Sequence, residues 1–575
     1  MVTIDVSIED ISRLMGFDNP LTPQELDDIL AFCISEVDSE PEGPDENGHT
    51  KISIDIKTSN RADLWSAEGL ARTIRGMNLE PGLPPLDMEP SGYEIDVNPK
   101  LKGIRPYIAA AVIRGLELDN FLIKQMIQMQ DKLDFSYGRK RKRTSIGIYN
   151  INMLESPIKY EIVDRTFKFQ PLQFDKKITV DEIFEQHPKG IEYRSILENH
   201  EQVPMLYDVN NQVLSMPPII NSNDVGRVTT ETTDVLIEVT GTSFDATNVV
   251  MNIVAQALRD RGGQLYSVRI NYPDSYGIVN ETTPHSLPLE LEINPQQIND
   301  YLGTKFTKDQ MIELLRKRCH DVKVSKRKMI VLSPPWRKEI LHWVDISEEI
   351  AIAADYTTLP VTDANVVTTG KLDPSTEDEL MVRQVLVGMN LIEVLNYTLT
   401  DRETIGSKIN RSDKWVDENC IEISNPVSLT RAFFRPDLLS GLLRFSSRNT
   451  HVEYPHRIYE TGEVVLQHGD DTVTKIHTSV LLSGAEETFE TINRILDTLF
   501  RLLEVEYSLN ELDSNYYLKG RSASIQFNGD SIGHIGEIHP SILENYGIEV
   551  PTVGLEIDLS LLPNLKAYPL YSNKN

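Results

Sequence analysis

Apolar residues change their spacing many times along this chain, and these changes limit the folds that are open to it. In residues 51–56, KISIDI, the side chains of Ile52, Ile54 and Ile56 alternate with other residues, as in a strand with one buried face. Residues 59–76 follow with an apolar stripe of helical spacing that ends at a glycine. Similar pairs of patterns recur to the end of the sequence. We therefore expect an α+β protein in which helices pack on sheets.

The chain is too long for one hydrophobic core. Its 575 residues predict three to five domains. Residues 79–90, LEPGLPPLDMEP, are rich in proline and are typical of a linker. Ser375 and Asp378 have the spacing of a capping box and predict the start of a helix. The pattern predicts domains over residues 1–95, 105–275, 285–360 and 365–575.

Neither a secretory signal nor a membrane span is predicted. The first residues lack a basic start followed by an apolar block. The longest apolar runs, such as residues 107–113, are far below the roughly 20 residues that a membrane span needs. Cys33, Cys319 and Cys420 lie too far apart in sequence to form a metal or redox motif. These features favour a protein of the reducing cytoplasm.

One short basic run stands out in an acidic chain. The net charge is −30, so the surface as a whole repels nucleic acid, and any such binding needs a local basic patch. Residues 139–143, from Arg139 to Arg143, read RKRKR. This run is either a contact for phosphate groups or a solvated loop, and in a eukaryotic protein also a nuclear-import signal.

An acidic cluster permits two interpretations. Asp345, Glu348 and Glu349 are spaced at i, i+3 and i+4, so a helix brings their side chains to one face, and Glu339 lies in the extended stretch before them. Four carboxylates that meet repel one another unless a cation joins them, and oxygen ligands suit Mg²⁺. The alternative is a capping box of Asp345 and Glu348, which needs no metal.

Four stretches, in order along the chain, resemble phenylalanyl-tRNA synthetase beta subunits. They are SNRADLWSAEGLARTIRG at 59–76, the segment from 104 to 152 that contains IRPYIAAAVIRG and GRKRKRTSIGIYNIN, SPPWRKEILHWVDISEEIA at 333–351, and NPVSLTRAFFRPDLLSGLL at 425–443 with IYETGEVV and HIGEIHPSILENYGI after it. The match is to the shorter archaeal and eukaryotic type, because no room is left for the added tRNA-binding and anticodon-binding modules of bacterial relatives.

The resemblance implies a fold and a set of partners. It implies an N-terminal structural domain, an editing domain, a winged-helix-like domain and a degenerate class II synthetase core with an antiparallel sheet. Arg435 stands near the place of an ATP-binding arginine, but residues 553–562 contain no arginine and carry Glu556 and Asp558, which repel a triphosphate. The resemblance therefore implies catalysis by an alpha subunit that binds ATP and phenylalanine, in a complex of two alpha and two beta chains that charges tRNA(Phe) with Mg²⁺.

The resemblance also implies editing of tyrosine that has been attached to tRNA(Phe) by mistake. An apolar pocket cannot strongly reject an added hydroxyl, so a second site has to remove tyrosine by hydrolysis. Residues Leu206, Ser215 and Asp234 are carried over as its pocket, although Asp234 can also be a turn at the start of a strand or a helix cap. No Ser/His/Asp or Cys/His set is apparent near them, which favours attack by a positioned water.

The resemblance favours the metal interpretation of the acidic cluster. Beta subunits place acidic ligands at the offsets of Glu339, Asp345, Glu348 and Glu349, with an aspartate usual where Glu339 stands. Two alternative functions stay open at this point. One is a free-standing hydrolase of mischarged tRNA, and the other is a purely structural assembly subunit.

Overall fold

The computed structural model describes residues 2–279, 281–324, 328–361, 363, 367–469 and 471–562. The chain forms two compact units, Met1–Asp363 and Ala364–Asn575. Within the described residues, every helix is too short or too polar to cross a membrane.

The first unit begins with a three-stranded antiparallel sheet of order β1-β3-β2. Its elements are β1 (Val2–Ser7), α1 (Ile8–Met15), α2 (Pro23–Leu30), β2 (Ser35–Val37), β3 (Lys51–Ile56) and α3 (Ala67–Asn78). Ile52, Ile54 and Ile56 are fully buried, which confirms the strand predicted from their alternation. Helix α3 begins after Ser66, whose side chain accepts a hydrogen bond from the Gly69 amide, and it continues past the predicted stop.

A ten-stranded mixed sheet follows, and it contains most of the core of this unit. Its path is β12-β11-β10-β7-β4-β14-β5-β13-β6, with β15 added to β14, and β4 runs parallel to both of its neighbours. The elements of this part are β4 (Glu89–Val97), β5 (Tyr107–Arg114), α4 (Asn120–Lys132), β6 (Thr144–Asn150), β7 (Ile158–Asp164), β8 (Lys168–Phe169), β9 (Ile178–Thr179), α5 (Val180–Gln186), α6 (Pro188–Tyr193), β10 (Gln202–Tyr207), β11 (Val213–Met216), β12 (Ile220–Asn221), β13 (Val235–Gly241), α7 (Phe244–Asp260), β14 (Gln264–Asn271) and β15 (Glu281–Thr283).

Helices α4 and α7 cover one face of this sheet. The inward face of α4 and the residue after it are apolar, and each member is at least nine-tenths buried: Leu122, Met126, Met129 and Leu133. These residues share one hydrophobic core with α7 and with the first sheet. Helix α4 therefore packs on this sheet, and the candidate site lies between the helix and the sheet.

Buried ion pairs join α7 to the first helices of the unit. Arg72 of α3 contacts Asp260 of α7 at 2.7 Å, and Arg261 contacts Asp10 at 2.7 Å and Glu68 at 2.6 Å. All five side chains are less than a tenth exposed. Removal of one partner from such a buried pair costs about 3–5 kcal/mol, so these pairs fix how the first two sheets meet.

A small antiparallel sheet of order β16-β18-β17 ends the first unit. Its elements are β16 (Leu289–Ile293), α8 (Pro295–Leu302), α9 (Lys308–Lys317), β17 (Asp321–Val324), β18 (Met329–Ser333) and α10 (Trp343–Ala353). Three helices and the sheet share a core that includes Ile298, Met311, Leu315 and Ile346.

The second unit is built on a seven-stranded sheet of order β19-β22-β23-β27-β26-β25-β24. Its elements are α11 (Pro374–Gly388), β19 (Ile392–Glu393), β20 (Leu399–Thr400), α12 (Arg402–Ile405), α13 (Asp413–Asn419), β21 (Phe433–Phe434), α14 (Leu439–Arg448), β22 (His456–His468), β23 (Asp471–Ser483), α15 (Phe489–Leu502), β24 (Ser508–Glu511), β25 (Tyr517–Phe527), β26 (Asp530–Ile538), α16 (Pro540–Tyr546) and β27 (Thr552–Asp558). The sheet is antiparallel as predicted, except that the two-residue edge strand β19 runs parallel to β22.

Both faces of this sheet are covered by helices. Val480 and Leu482 of β23 pack with α11 and α15, whereas Leu481 between them packs with α14 and α16. Because side chains alternate along a strand, one apolar run supplies both cores. The sheet is therefore an enclosed scaffold.

The structure corrects two predicted helix starts. The N-cap of α10 is His342, and Asp345 is its third residue, so the predicted box of Asp345 with Glu348 is wrong. The N-cap of α11 is Asp373, whose side chain accepts a hydrogen bond from the Ser375 amide at 3.0 Å. In both cases an acidic or polar residue slightly earlier in the chain satisfies the free amides of the first turn.

Candidate functional site

A cavity of about 320 Å³ lies between α4, strands β6 and β13, and the connection from β11 to β12. Met126, Ile146 and Met216 give it apolar walls, and Ser215 and Glu238 bring polar groups into it. An apolar cavity with a few polar groups that converge is the usual form of a small-molecule site.

The polar groups form a chain of three side chains on neighbouring strands. The Tyr149 hydroxyl lies 2.8 Å from Ser215 Oγ and 2.9 Å from Glu238 Oε1. When Tyr149 donates its single proton to the carboxylate, its oxygen accepts the Ser215 proton. Gly147 makes room for this chain, because a Cβ there would lie 2.1 Å from the Tyr149 hydroxyl and 2.5 Å from Glu238 Oε1.

Burial sets the protonation of this chain. Glu238 is 3% exposed, and burial raises its pKa to about 8 against the opposing effects of Tyr149 and Arg105. Its Oε2 atom has no hydrogen-bond partner in the described part of the chain. Burial also raises the pKa of Asp134, at the end of α4, to about 7 against the pull of Arg141. Glu238 thus changes its charge near neutral pH and keeps one oxygen for a ligand.

The structure brings two of the three predicted pocket residues together. Leu206 of β10 is paired in register with Ser215 of β11, and its buried side chain packs with Tyr149 beneath the cavity. The third, Asp234, lies elsewhere. Its carboxylate accepts a hydrogen bond from the Gly115 amide at 3.0 Å at the start of β13, away from the lining of the cavity.

Two acidic residues line the cavity, the exposed Asp131 of α4 and the buried Glu238, which the sequence argument missed. A signal was present, because Glu238 is the only charged residue in β13, Val235–Gly241, all of whose residues are buried. A carboxylate in such a run is costly to bury and is therefore often functional. Asp234 precedes the run, directly before the first residue of β13.

The basic run is divided between the surface and the cavity. Arg139, Lys140 and Lys142 are exposed at the turn between α4 and β6. Arg141 turns inward, lines the cavity and stacks its guanidinium over the ring of Tyr193 at 4.6 Å. Within this run, the three exposed cations are therefore the ones available to a phosphate backbone.

The predicted metal ligands line a second, small cavity of about 60 Å³ in the first unit. Its acidic members are Glu339, Asp345, Glu348 and Glu349, and its basic members are Arg61, Arg318 and Arg337. Glu349 contacts Arg337 at 2.6 Å and Arg318 at 2.7 Å. Glu339 pairs with Arg337 and lies 3.7 Å from Arg61.

The arginines pair with two of the four acidic residues, Glu339 and Glu349, and leave Asp345 and Glu348 without an arginine partner in the described structure. Burial raises the pKa of Glu349, but Arg318 and Arg337 outweigh it and hold that pKa well below its usual range. Asp345 Oδ2 accepts hydrogen bonds from the amides of Leu341 and His342 at 2.8 and 2.7 Å, and Glu348 is exposed. Within the described ranges, no three Asp, Glu, His or Cys side chains form a ready metal-binding group. Asp345 and Glu348, which have no arginine partner there, fit Mg²⁺ that keeps most of its waters.

In the second unit, the arginine compared with an ATP-binding residue is already engaged. Arg435 pairs with the buried Glu460 and donates to the carbonyl of Glu463 at 2.8 Å. Glu556 accepts hydrogen bonds from the amides of Leu438 and Leu439 at the start of α14, at 3.1 to 2.8 Å. Arg435 and Glu556 are thus both engaged by groups of this unit.

Comparisons with known proteins give one family. The model described as phenylalanyl tRNA synthetase beta chain CLM domain matches residues 357–559, and the tRNA synthetase B5 domain model matches residues 291–356. The phenylalanine–tRNA ligase beta subunits of Pyrococcus abyssi and Pyrococcus horikoshii are each 38% identical over 563 residues, with 97% of this chain and 99% of theirs covered. That of Pyrococcus furiosus is 37% identical over 567 residues, with 98% of this chain and 100% of its own covered.

A solved structure resembles the first unit. The crystal structure of an N-terminal fragment of the phenylalanyl-tRNA synthetase beta-subunit from Pyrococcus horikoshii has a TM-score of 0.58 and 38% sequence identity. It covers 61% of this chain and 99% of that fragment. The mixed α/β architecture with several sheets is therefore shared with a known structure.

Proposed function

The chain belongs to the family of phenylalanine–tRNA ligase beta subunits, a component of an aminoacyl-tRNA synthetase, and we propose that it hydrolyses tyrosine from mischarged tRNA(Phe) in the 320 Å³ cavity. The observation that carries this proposal is the buried hydrogen-bonded chain of Ser215, Tyr149 and Glu238, of which Ser215 and Glu238 line the cavity. A beta subunit has an alpha subunit as its partner, and we propose that the alpha subunit performs the charging reaction.

The cavity has the chemistry to accept tyrosine and to reject phenylalanine. The unpartnered Oε2 of Glu238 is an acceptor for the phenol of a bound tyrosine, and Ser215 lies beside it. Phenylalanine lacks the hydroxyl, so it would bury these groups without replacing their hydrogen bonds to water, which costs about 1–3 kcal/mol for each group left unpaired. Sites that bind a substrate hydroxyl in this way discriminate strongly against the analogue that lacks it.

Water is the proposed nucleophile. Among the described lining residues there is no cysteine, and the one histidine, His187, has both ring nitrogens engaged with Leu172 and Lys189 backbone groups. The Ser215 hydroxyl is bound to Tyr149, and no base with a free lone pair activates it in the described structure. Direct attack of a positioned water on the ester carbonyl requires neither a side-chain nucleophile nor a base that activates Ser215. The products are tyrosine and free tRNA(Phe).

The other parts of the chain are assigned supporting roles. We propose a structural domain at residues 1–95, the editing domain at 105–275, a winged-helix-like domain at 285–360 and a non-catalytic class II core at 365–575. The engaged Arg435 supports a core that holds no ATP, so that ATP, phenylalanine and their Mg²⁺ bind to the alpha subunit. We also propose a complex of two alpha and two beta chains in the cytoplasm.

Two further contacts complete the proposal. The exposed cations Arg139, Lys140 and Lys142 bind phosphates of tRNA(Phe) near the cavity. At the second cavity, Asp345 and Glu348 hold a hydrated Mg²⁺, while Glu339 and Glu349 stay paired with arginines around it. This ion acts as a local structural link, because the cavity lies between the first segment and α10.

The test is deacylation of preformed Tyr-tRNA(Phe) and Phe-tRNA(Phe) by the purified alpha/beta complex. Wild type should remove tyrosine at least about 100-fold faster than phenylalanine. Glu238→Gln and Ser215→Ala should lose much of this preference while phenylalanine charging is kept. The matched control is Glu185→Gln, an exposed glutamate of the same sheet region.

Two results would overturn the proposal in different ways. A wild-type complex that charges tRNA but leaves Tyr-tRNA(Phe) intact would indicate a purely structural subunit. An isolated chain that deacylates as fast as the complex would indicate a free-standing hydrolase.

A further inference from the structure

A fully buried arginine lies behind the cavity without a carboxylate bound to it in the described structure. Arg105 is 1% exposed and precedes β5. Its Nε donates to Thr240 Oγ1 at 2.9 Å, and its Nη2 donates to the Thr240 carbonyl at 2.7 Å and to Ser145 Oγ at 3.1 Å. Its Nη1 donates to the carbonyl of Arg141 at 3.1 Å. Such a group is expensive to bury, so its retention needs a reason.

The contact with Arg141 falls on a strained piece of backbone. Arg139, Lys140 and Arg141 have φ angles of 52°, 53° and 64°, three consecutive residues in the left-handed region without a glycine. Each such residue costs about 1–2 kcal/mol, so the turn persists only where other contacts hold it. Two backbone bonds do so at its start, from the Lys140 amide to Phe135 O at 2.9 Å and from the Arg141 amide to Asp134 O at 3.0 Å.

The left-handed turn sets the direction of the Arg141 side chain. Its Nη1 donates to the carbonyls of Pro218 and Ile219 at 3.3 and 3.1 Å, in the connection from β11 to β12. Its guanidinium also covers Tyr193 of α6. Arg141 is thus a strap that ties the turn after α4 to the connection that follows β11, the strand of Ser215, and it forms one wall of the cavity.

We propose that Arg105 is a positioning residue, which holds the left-handed turn through the Arg141 carbonyl and so keeps Arg141 strapped across the cavity beside Ser215. This inference rests on the proposed hydrolysis only for its effect on rate. The structural part, in which Arg105 holds the turn, stands on the contacts alone.

The charge of Arg105 supports this role. Glu238 faces Tyr149 of β6, Arg105 before β5 and Asp134 after α4, and the positive charge of Arg105 lowers the pKa of Glu238 against the larger effect of burial. Loss of that charge therefore moves the ionisation of Glu238 to higher pH. Arg105→Met removes charge and donors together, whereas Arg105→Lys keeps the charge but cannot reproduce four directed hydrogen bonds.

The first experiment needs no activity. Limited trypsin digestion of the alpha/beta complex, well below the melting temperatures of both proteins, should cut within residues 139–143 at least about fivefold faster in Arg105→Lys than in wild type. Arg269→Met, a half-exposed arginine of β14, is the control and should digest as wild type does. Equal digestion of wild type and Arg105→Lys would overturn the inference.

The second experiment measures hydrolysis of Tyr-tRNA(Phe) across pH. Arg105→Lys should lower kcat about tenfold, with little change in KM and with the same pH dependence of kcat as wild type. Arg105→Met should lower kcat as well and should also shift its pH dependence to higher pH. If Arg105 acts through Arg141, then Arg105→Lys combined with Arg141→Met is no slower than Arg141→Met alone. Additive losses would overturn the inference, whereas a wild type without hydrolysis would contradict only the proposed function.

Discussion

The Tyr149 hydroxyl lies 2.9 Å from Glu238 Oε1, and this contact is sealed from water between strands β6 and β13. Because burial raises the pKa of Glu238 to about 8, the folded chain binds a proton there that the unfolded chain releases near pH 4.5. The stability that this proton supplies is complete below pH 4.5 and is lost as the pH rises toward 8.

Glu238→Gln should therefore stabilise the full chain at pH 8. Gln keeps the acceptor for Tyr149 but never ionises. At about 1.4 kcal/mol for each pH unit between 4.5 and 8, we expect a gain of about 4 kcal/mol at pH 8 and about 1 kcal/mol at pH 5. Urea unfolding at both pH values measures it, with Glu185→Gln as the control. A difference that does not grow between pH 5 and 8 would mean that Glu238 titrates normally.

Gly147→Ala should displace the hydrogen-bonded chain of Ser215, Tyr149 and Glu238. Its Cβ would lie within 2.5 Å of both Tyr149 and Glu238, so the chain of three side chains must move, at about 1–3 kcal/mol. We expect Tyr-tRNA(Phe) hydrolysis to fall at least about tenfold while charging is kept. Gly103→Ala, which meets no atom within 4 Å, is the control. Hydrolysis at the wild-type rate in Gly147→Ala would remove Tyr149 and Glu238 from the site.

The exposed part of the basic run should determine the salt dependence of tRNA binding. Changing Arg139, Lys140 and Lys142 to Ala should reduce the slope of log K against log salt by about 0.7–0.9 for each phosphate that the variant no longer binds. Lys414 and Lys519, exposed in the second unit, give a control double variant. An unchanged slope in the triple variant would return the run to the solvated-loop interpretation.

The magnesium proposal predicts a change in stability. Mg²⁺ should raise the melting temperature of the wild-type chain by a few degrees, and EDTA should reverse the rise. Asp345→Asn keeps an oxygen for the Leu341 and His342 amides, so it should keep the helix start but lose the response to Mg²⁺. Glu348→Gln should behave in the same way. A wild type that does not respond would leave Asp345 as a helix cap only.

The second unit should be a scaffold that depends on Arg435. Arg435→Met leaves the carboxylate of Glu460, which is 1% exposed, without its cation and should cost about 3–5 kcal/mol. Glu460→Gln in the same chain should recover part of that loss.

The isolated wild-type chain should show no phenylalanine-dependent pyrophosphate exchange, and measurable exchange would contradict the scaffold.

Periodicity was a good guide to elements and a poor guide to their ends. The alternation of β3 was predicted correctly, because apolar spacing reports which face is covered. The starts of α10 and α11 were misplaced by a few residues. Several polar residues compete to satisfy the first-turn amides, and which of them does so depends on where the preceding loop approaches.

The sequence by itself determined the family, the alternation of strands and helices, and Ser215 as a polar residue of a buried strand. It did not identify Glu238, because only the pairing of β13 with β6 turns this side chain toward Tyr149 over Gly147. Nor did it show that Arg141 points inward or that arginines neutralise Glu339 and Glu349. Those contacts join residues that lie far apart in the chain. They are stabilised because water is excluded from the paired charges, and this exclusion exists only once distant segments have packed together.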